Sequence, residues 1–120
     1  MGFPMINFKV TNAEVSDGLK DLLEQKLQTL EKFLGDAPAV CDAEFEKETA
    51  HQSGDVFRVE VNLEVNGKLY RADATLGSFE QAIDEVRDEL DKELRRANDK
   101  RDTMMKRGGR ALKKMLHGGE

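Results

Sequence analysis

The sequence predicts an α+β fold of order β-α-β-β-β-α, one four-stranded sheet with two helices packed on one face. Three observations carry this. Four short stretches alternate apolar and polar residues, the mark of strands that bury one face. Two longer stretches repeat apolar residues near every 3.6 positions, the mark of amphipathic helices. Because every strand keeps one polar face, the apolar faces must share a single layer, and both helices must cover it.

The first strand is Met5 to Val10, with Ile6, Phe8 and Val10 on one side and Asn7 and Lys9 on the other. Met1 to Pro4 precede this pattern and are expected to be detachable, with Met5 as a natural start. Ser16 is placed to cap a helix that runs to about Leu34 and stops at Gly35. Its apolar stripe is Val15, Leu19, Leu22, Leu23, Leu27, Leu30, Phe33 and Leu34. Lys26 falls within that stripe by angle. It is either a snorkelling lysine whose stem packs or a lysine whose head is directed at a ligand where the helices meet.

From Ala39 to Glu48 the alternation is strict, with Ala39, Cys41, Ala43 and Phe45 inward and Asp42, Glu44, Glu46 and Glu48 outward. Thr49 to Asp55 is a polar loop, and its His51 is expected to be a surface residue rather than a catalytic one. The third strand turns Phe57, Val59, Val61, Leu63 and Val65 inward. Asn66-Gly67 then marks a two-residue hairpin turn, since both positions need positive φ. Tyr70, Ala72, Ala74 and Leu76 line the fourth strand. The outer sheet face therefore collects Asp42, Glu44, Glu46, Glu48, Glu60, Glu64 and Asp73. It would repel a polyanion, so any nucleic acid must bind on the helical side.

The last helix runs from Ser78 to Arg101, where Ser78 and Gln81 form the S-x-x-Q version of a capping box. Phe79, Ala82, Ile83, Val86, Leu90, Leu94 and Ala97 make its buried stripe. Its first half carries Glu80, Asp84, Glu85, Asp88 and Glu89, and its second half Lys92, Arg95, Arg96, Lys100 and Arg101. Lys92, Arg96 and Lys100 are four apart and form one row. Helix-dipole complementarity explains such a gradient, and so does a phosphate-binding edge. Residues 1–103 form the expected α+β domain. Residues 104–120 are expected to be a flexible basic tail, with Lys106, Arg107, Arg110, Lys113 and Lys114 among two glycine pairs.

The net charge of −5 argues on its own against a nucleic-acid partner, but acids dominate up to Asp91 and bases after it. The single Cys41 cannot form an internal disulfide, which fits a reducing, cytoplasmic compartment and a small buried residue. No apolar run reaches membrane-spanning length, and the N-terminus shows no signal-peptide core. Cys41, His51 and His117 lack metal-ligand spacing, Gly77 is not a phosphate loop, and the carboxylates do not pair in an apolar cleft. No enzyme, metal, cofactor or small-molecule substrate is expected.

With this order and these motifs, the chain resembles the ribosome hibernation-promoting factors, ribosome-associated translation inhibitors once described as modulators of a sigma factor. The resemblance covers roughly Met5 to Arg101. It rests on VSDGLKDLLEQKLQTLEKF, HQSGDVFRVEVNLEVNG and SFEQAIDEVRDELDKELRR, above all on Ala82-Ile83-Asp84 after an aromatic and before a base-rich helix end. It implies a fold similar to double-stranded-RNA-binding domains with an extra first strand. It also implies binding of the small ribosomal subunit and its 16S rRNA in the messenger and transfer RNA channel, which blocks initiation and protects idle ribosomes. Lys26 matches an RNA-contacting base on the first helix, Lys92, Arg96 and Lys100 match bases on the second, and Arg95 adds a neighbour.

Thr29, Glu89 and Asn98 stand where relatives often carry bases, which would weaken or shift phosphate binding. The second, dimerising domain of long-form relatives has no counterpart in these residues. A monomer without direct ribosome pairing is expected, and the tail bases would add RNA contacts. Two other readings stay open: a general double-stranded-RNA-binding module, and a protein-interaction, transcription-modulating module that uses the acidic sheet face.

Overall fold

The structure, a computed structural model, describes residues 2–49 and 56–116, the last sixteen by their backbone alone. Four strands, β1 (Ile6–Thr11), β2 (Ala39–Lys47), β3 (Phe57–Val65) and β4 (Lys68–Leu76), form one sheet in that spatial order. β1 runs parallel to β2, and the other pairs are antiparallel. The parallel pair needs a long crossover, which α1 (Asp17–Gln28) supplies. The β3–β4 turn needs only Asn66 and Gly67, at φ 52° and 84°, as a type I′ turn requires. His51 lies outside the described residues, so the expectation for it does too.

The first helix is shorter than its stripe predicts. It ends at Gln28, and the chain continues through a 3₁₀ turn, Glu31–Phe33, to Gly35 at φ 55°. Thr29 supplies the reason. Its hydroxyl donates to the Lys26 carbonyl at 2.6 Å, a local bond that competes with the helical ladder. The apolar period survives the break, because Leu30 and Leu34 are still buried. Ser16 caps the start as expected, accepting from the Leu19 N–H at 3.2 Å. Phe3 also packs against the core, so the residues before β1 are not wholly detachable.

α2 (Phe79–Leu116) is longer than expected. The helix does not stop near Arg101 but passes through Gly108-Gly109. Elongation adds one hydrogen bond per residue without new nucleation, and each glycine costs only about 1 kcal/mol relative to alanine. At 1.5 Å per residue α2 is about 57 Å long, against about 30 Å for a nine-residue strand, so it outruns the sheet.

The core lies between the sheet and the two helices. Cys41, Phe45, Val59, Val61 and Leu63 from the sheet meet Leu23 and Leu27 of α1 and Ala82, Ile83, Val86 and Leu90 of α2, all without exposed surface. Phe79 fixes the start of α2. Its ring meets Phe45 edge-on at 5.3 Å and Phe57 at 5.0 Å, and the Gln81 N–H donates to Ser78 Oγ one turn in. Cys41 is a core residue, as its strand position suggests. Burial, with the nearby Asp42 charge, pushes its thiol up to about 12, so it stays protonated and unreactive.

The outer face is acidic, but it is cross-linked. Arg58 reaches across three strands to Glu44, Glu46, Glu60 and Asp73. Arg71 joins Glu60 at 3.3 Å, and the Asn62 amide donates to Glu60 at 2.9 Å. The Asn62 bond, working with Arg58 and Arg71 against burial, holds the Glu60 carboxyl below the usual carboxylate range. A lowered acid contributes stability above its unfolded value and loses it as pH falls through the folded one. Glu60→Gln is therefore expected to cost about 2 kcal/mol at neutral pH. It should also flatten the loss of stability below about pH 4 in denaturant titrations. An acid limb identical to wild type would show that Glu60 is not the linked group.

Candidate nucleic-acid interface

α2 has two flanks, because its buried stripe faces the sheet. One flank meets α1 and the 3₁₀ turn, and the other meets the edge strand β4. Asp84 and Arg95 lie on the first. Glu93, Arg96 and Lys100 lie on the second.

The structure separates the candidate bases. Lys26 reaches across from α1 to Asp84, with Nζ at 3.0 Å from Oδ1. Asp84 precedes Lys92 by eight residues, roughly 12 Å of helix. Lys26 is therefore apart from the basic row and already partnered. Arg95 turns to the α1 flank. It binds Asp91 at 3.1 Å and places its guanidinium 5.3 Å from the centre of the Phe33 ring. Lys92 is exposed, and Arg96 and Lys100 line a groove against β4. The side chains of Lys106, Arg107, Arg110, Lys113 and Lys114 lie outside the described residues.

Other residues join this end of the molecule that the sequence pattern did not single out. Lys32 sits 5.3 Å from the Phe33 ring, so that ring has two cations near it. Lys68, the first residue of β4, sits 5.2 Å from the Tyr70 ring. Phe33 and Tyr70 read as inward strand or helix residues, which they are, but each is half-buried at the rim. The usable signal was a lysine one or two positions before an aromatic, beside a turn.

The N-terminal half of α2 is the reverse. Burial, followed by the charges of Glu85, Asp73 and Glu93, holds Glu89 above the usual carboxylate range, with Lys92 only partly relieving it. On the β4 flank the change from acids to bases falls within one turn, between Glu93 and Arg96. Among the described residues no group of His, Cys, Asp and Glu could hold a metal ion, and no helix is long and apolar enough to cross a membrane.

The Lys26–Asp84 pair is solvent-exposed, so it contributes little to stability. Asp84→Asn should leave the melting temperature nearly unchanged and release Lys26 for phosphate. RNA affinity is then expected to rise severalfold, with a salt slope steeper by up to about 0.9. The gain should shrink in a Lys26→Ala background. Equal gains in both backgrounds would show that Lys26 does not reach RNA.

The fold matches the crystal structure of the Thermus thermophilus Protein Y N-terminal domain at a TM-score of 0.64 and 24% identity, covering 76% of this chain and 96% of that one. It also matches a ribosomal subunit interface protein from Coxiella burnetii at a TM-score of 0.67 and 17% identity, covering 78% and 97%. At such identities the likeness concerns the fold. Residues 6–102 match the family described as Sigma 54 modulation protein / S30EA ribosomal protein, a match that takes in all four strands, α1 and α2 as far as Asp102. The chain belongs to this family of ribosome-associated, non-enzymatic factors.

Proposed function

We propose that the protein is a cytoplasmic hibernation factor that binds the small ribosomal subunit at the messenger and transfer RNA channel and inhibits translation. The observation that carries this is the charge reversal along α2. Its second half presents Lys92, Arg95, Arg96 and Lys100, with Lys32 and Lys68 beside them, while the sheet on the other side of the core is acidic. Such a molecule presents one end to RNA and holds the opposite face away from it. Family membership supports the ribosome as the source of that RNA, and the shared fold with a ribosomal subunit interface protein from Coxiella burnetii agrees with it. Lys26 takes part after exchanging Asp84 for a phosphate. The bases between Lys106 and Lys114, beyond the family match, add sequence-independent contacts. The protein acts as a monomer.

The test is co-sedimentation with small subunits across a salt series. Replacing Lys92, Arg96 and Lys100 together with Ala should cost about 1 kcal/mol of stability, because exposed helix positions tolerate Ala well. The log–log salt slope should flatten by about 2 to 3. Deleting residues 106–120 should flatten it further. A paired control, Asp42→Asn with Glu64→Gln on the exposed outer face, should bind as wild type does. A control that loses binding while the basic triple keeps it would assign function to the acidic face instead.

A further inference from the structure

We propose that the groove between β4 and the basic end of α2 holds one unstacked nucleotide of single-stranded RNA. Its base lies against Tyr70 and Ala97, and its phosphates lie on Lys68, Arg96 and Lys100. This rests on the RNA-binding reading of α2 and adds a defined subsite to it.

Two adjoining hollows form the groove. One, of about 240 Å3, is lined by Lys68, Leu69, Tyr70 and, on α2, by Glu93, Arg96, Ala97 and Lys100. The other, of about 230 Å3, continues past Tyr70 and Ala97 to Asn66, Val65, Leu94 and Phe33. Ala97 makes the space. It is the small residue of the α2 stripe where the helix passes the hairpin, and with Tyr70 it lines both hollows. The lining thus joins aromatic and aliphatic side chains with the cations Lys68, Arg96 and Lys100.

That combination selects the ligand. An aromatic ring with cations around it serves single-stranded nucleic acid, because every base has a face to stack and every linkage a charge to neutralise. Lys68 lies over the ring, 5.2 Å from its centre, and this exposed side chain yields the ring face to the base and swings to its phosphate. Glu93 lines the same wall one turn before Ala97. It repels phosphate from that end and directs the backbone toward Arg96 and Lys100. A base paired inside a duplex cannot enter, so the occupant is unpaired.

Tyr70 is the single tyrosine, and the chain has no tryptophan, so tyrosine emission reports directly on this groove. A uridine pentaribonucleotide is expected to quench it. With a labelled pentamer followed by anisotropy, Lys68→Ala and Tyr70→Leu should each weaken binding about tenfold. Tyr70→Phe, which keeps the ring, should bind as wild type does. Lys68 is exposed, so its variant keeps the fold, and a melting curve checks Tyr70→Leu.

Unquenched emission would overturn the proposal. So would wild-type affinity in both weakened variants, uridine monophosphate binding as tightly as the pentamer, or a blunt RNA duplex competing as well. Small-subunit co-sedimentation is run in parallel. If it is intact in wild type and in both variants while the pentamer affinity is unchanged, the groove assignment fails and the proposed function stands. If the pentamer behaves as expected but wild type does not co-sediment, the groove stands and the ribosomal reading fails.

Discussion

The docking of Phe79 between Phe45 and Phe57 is the contact on which the arrangement depends. It joins β2, β3 and the first residue of α2 in one edge-to-face cluster, and it leaves Phe79 with 6% of its surface exposed. Burying such a ring stabilises by about 2 to 3 kcal/mol. Its larger effect is geometric. With the start of α2 pinned and Ala82, Ile83, Val86, Leu90 and Leu94 buried along the sheet, the helix can neither rotate nor slide. Which side chains face α1, which face β4 and which project past the hairpin are then settled together.

From that constraint the electrostatic asymmetry follows. Glu89 is pressed against Glu85, Asp73 and Glu93, whereas two turns later the same flank carries Arg96 and Lys100. The outer sheet face balances much of its own charge through Arg58, so it is a cross-linked surface rather than a loose cluster of acids. Helix-dipole complementarity contributes to the gradient along α2, since acids favour the N-terminal turn. It does not explain Lys32 and Lys68, which come from other elements and converge on the same end.

Most of the fold was legible because it is written in short-range periods. The strand alternation located Ile6, Cys41, Phe45 and Val61, the Asn66-Gly67 pair located the hairpin, and Ser16 and Ser78 located both helix starts. The ends of the helices were less legible. Thr29 broke α1 through a side-chain bond to Lys26, which the apolar stripe cannot register, since Leu30 and Leu34 stay in phase. The Gly108-Gly109 pair read as a stop, yet the backbone of α2 continues through it. The candidate site was legible along a helix and illegible across elements. The row Lys92, Arg96 and Lys100 is a matter of spacing, but the Lys26–Asp84 pair and the approach of Lys68 to Tyr70 are tertiary facts.

On the proposed function, RNA meets the basic end of α2 and its flanking hairpin while the acidic sheet face points away. A cryo-electron microscopy structure of the protein on the small subunit tests this most directly. Ribosomal RNA is expected against Lys92, Arg96, Lys100 and the Asn66–Tyr70 hairpin, with Asp42, Glu60 and Glu64 turned from the RNA. Density placing those three acids on the RNA, with the end of α2 free in solvent, would contradict it.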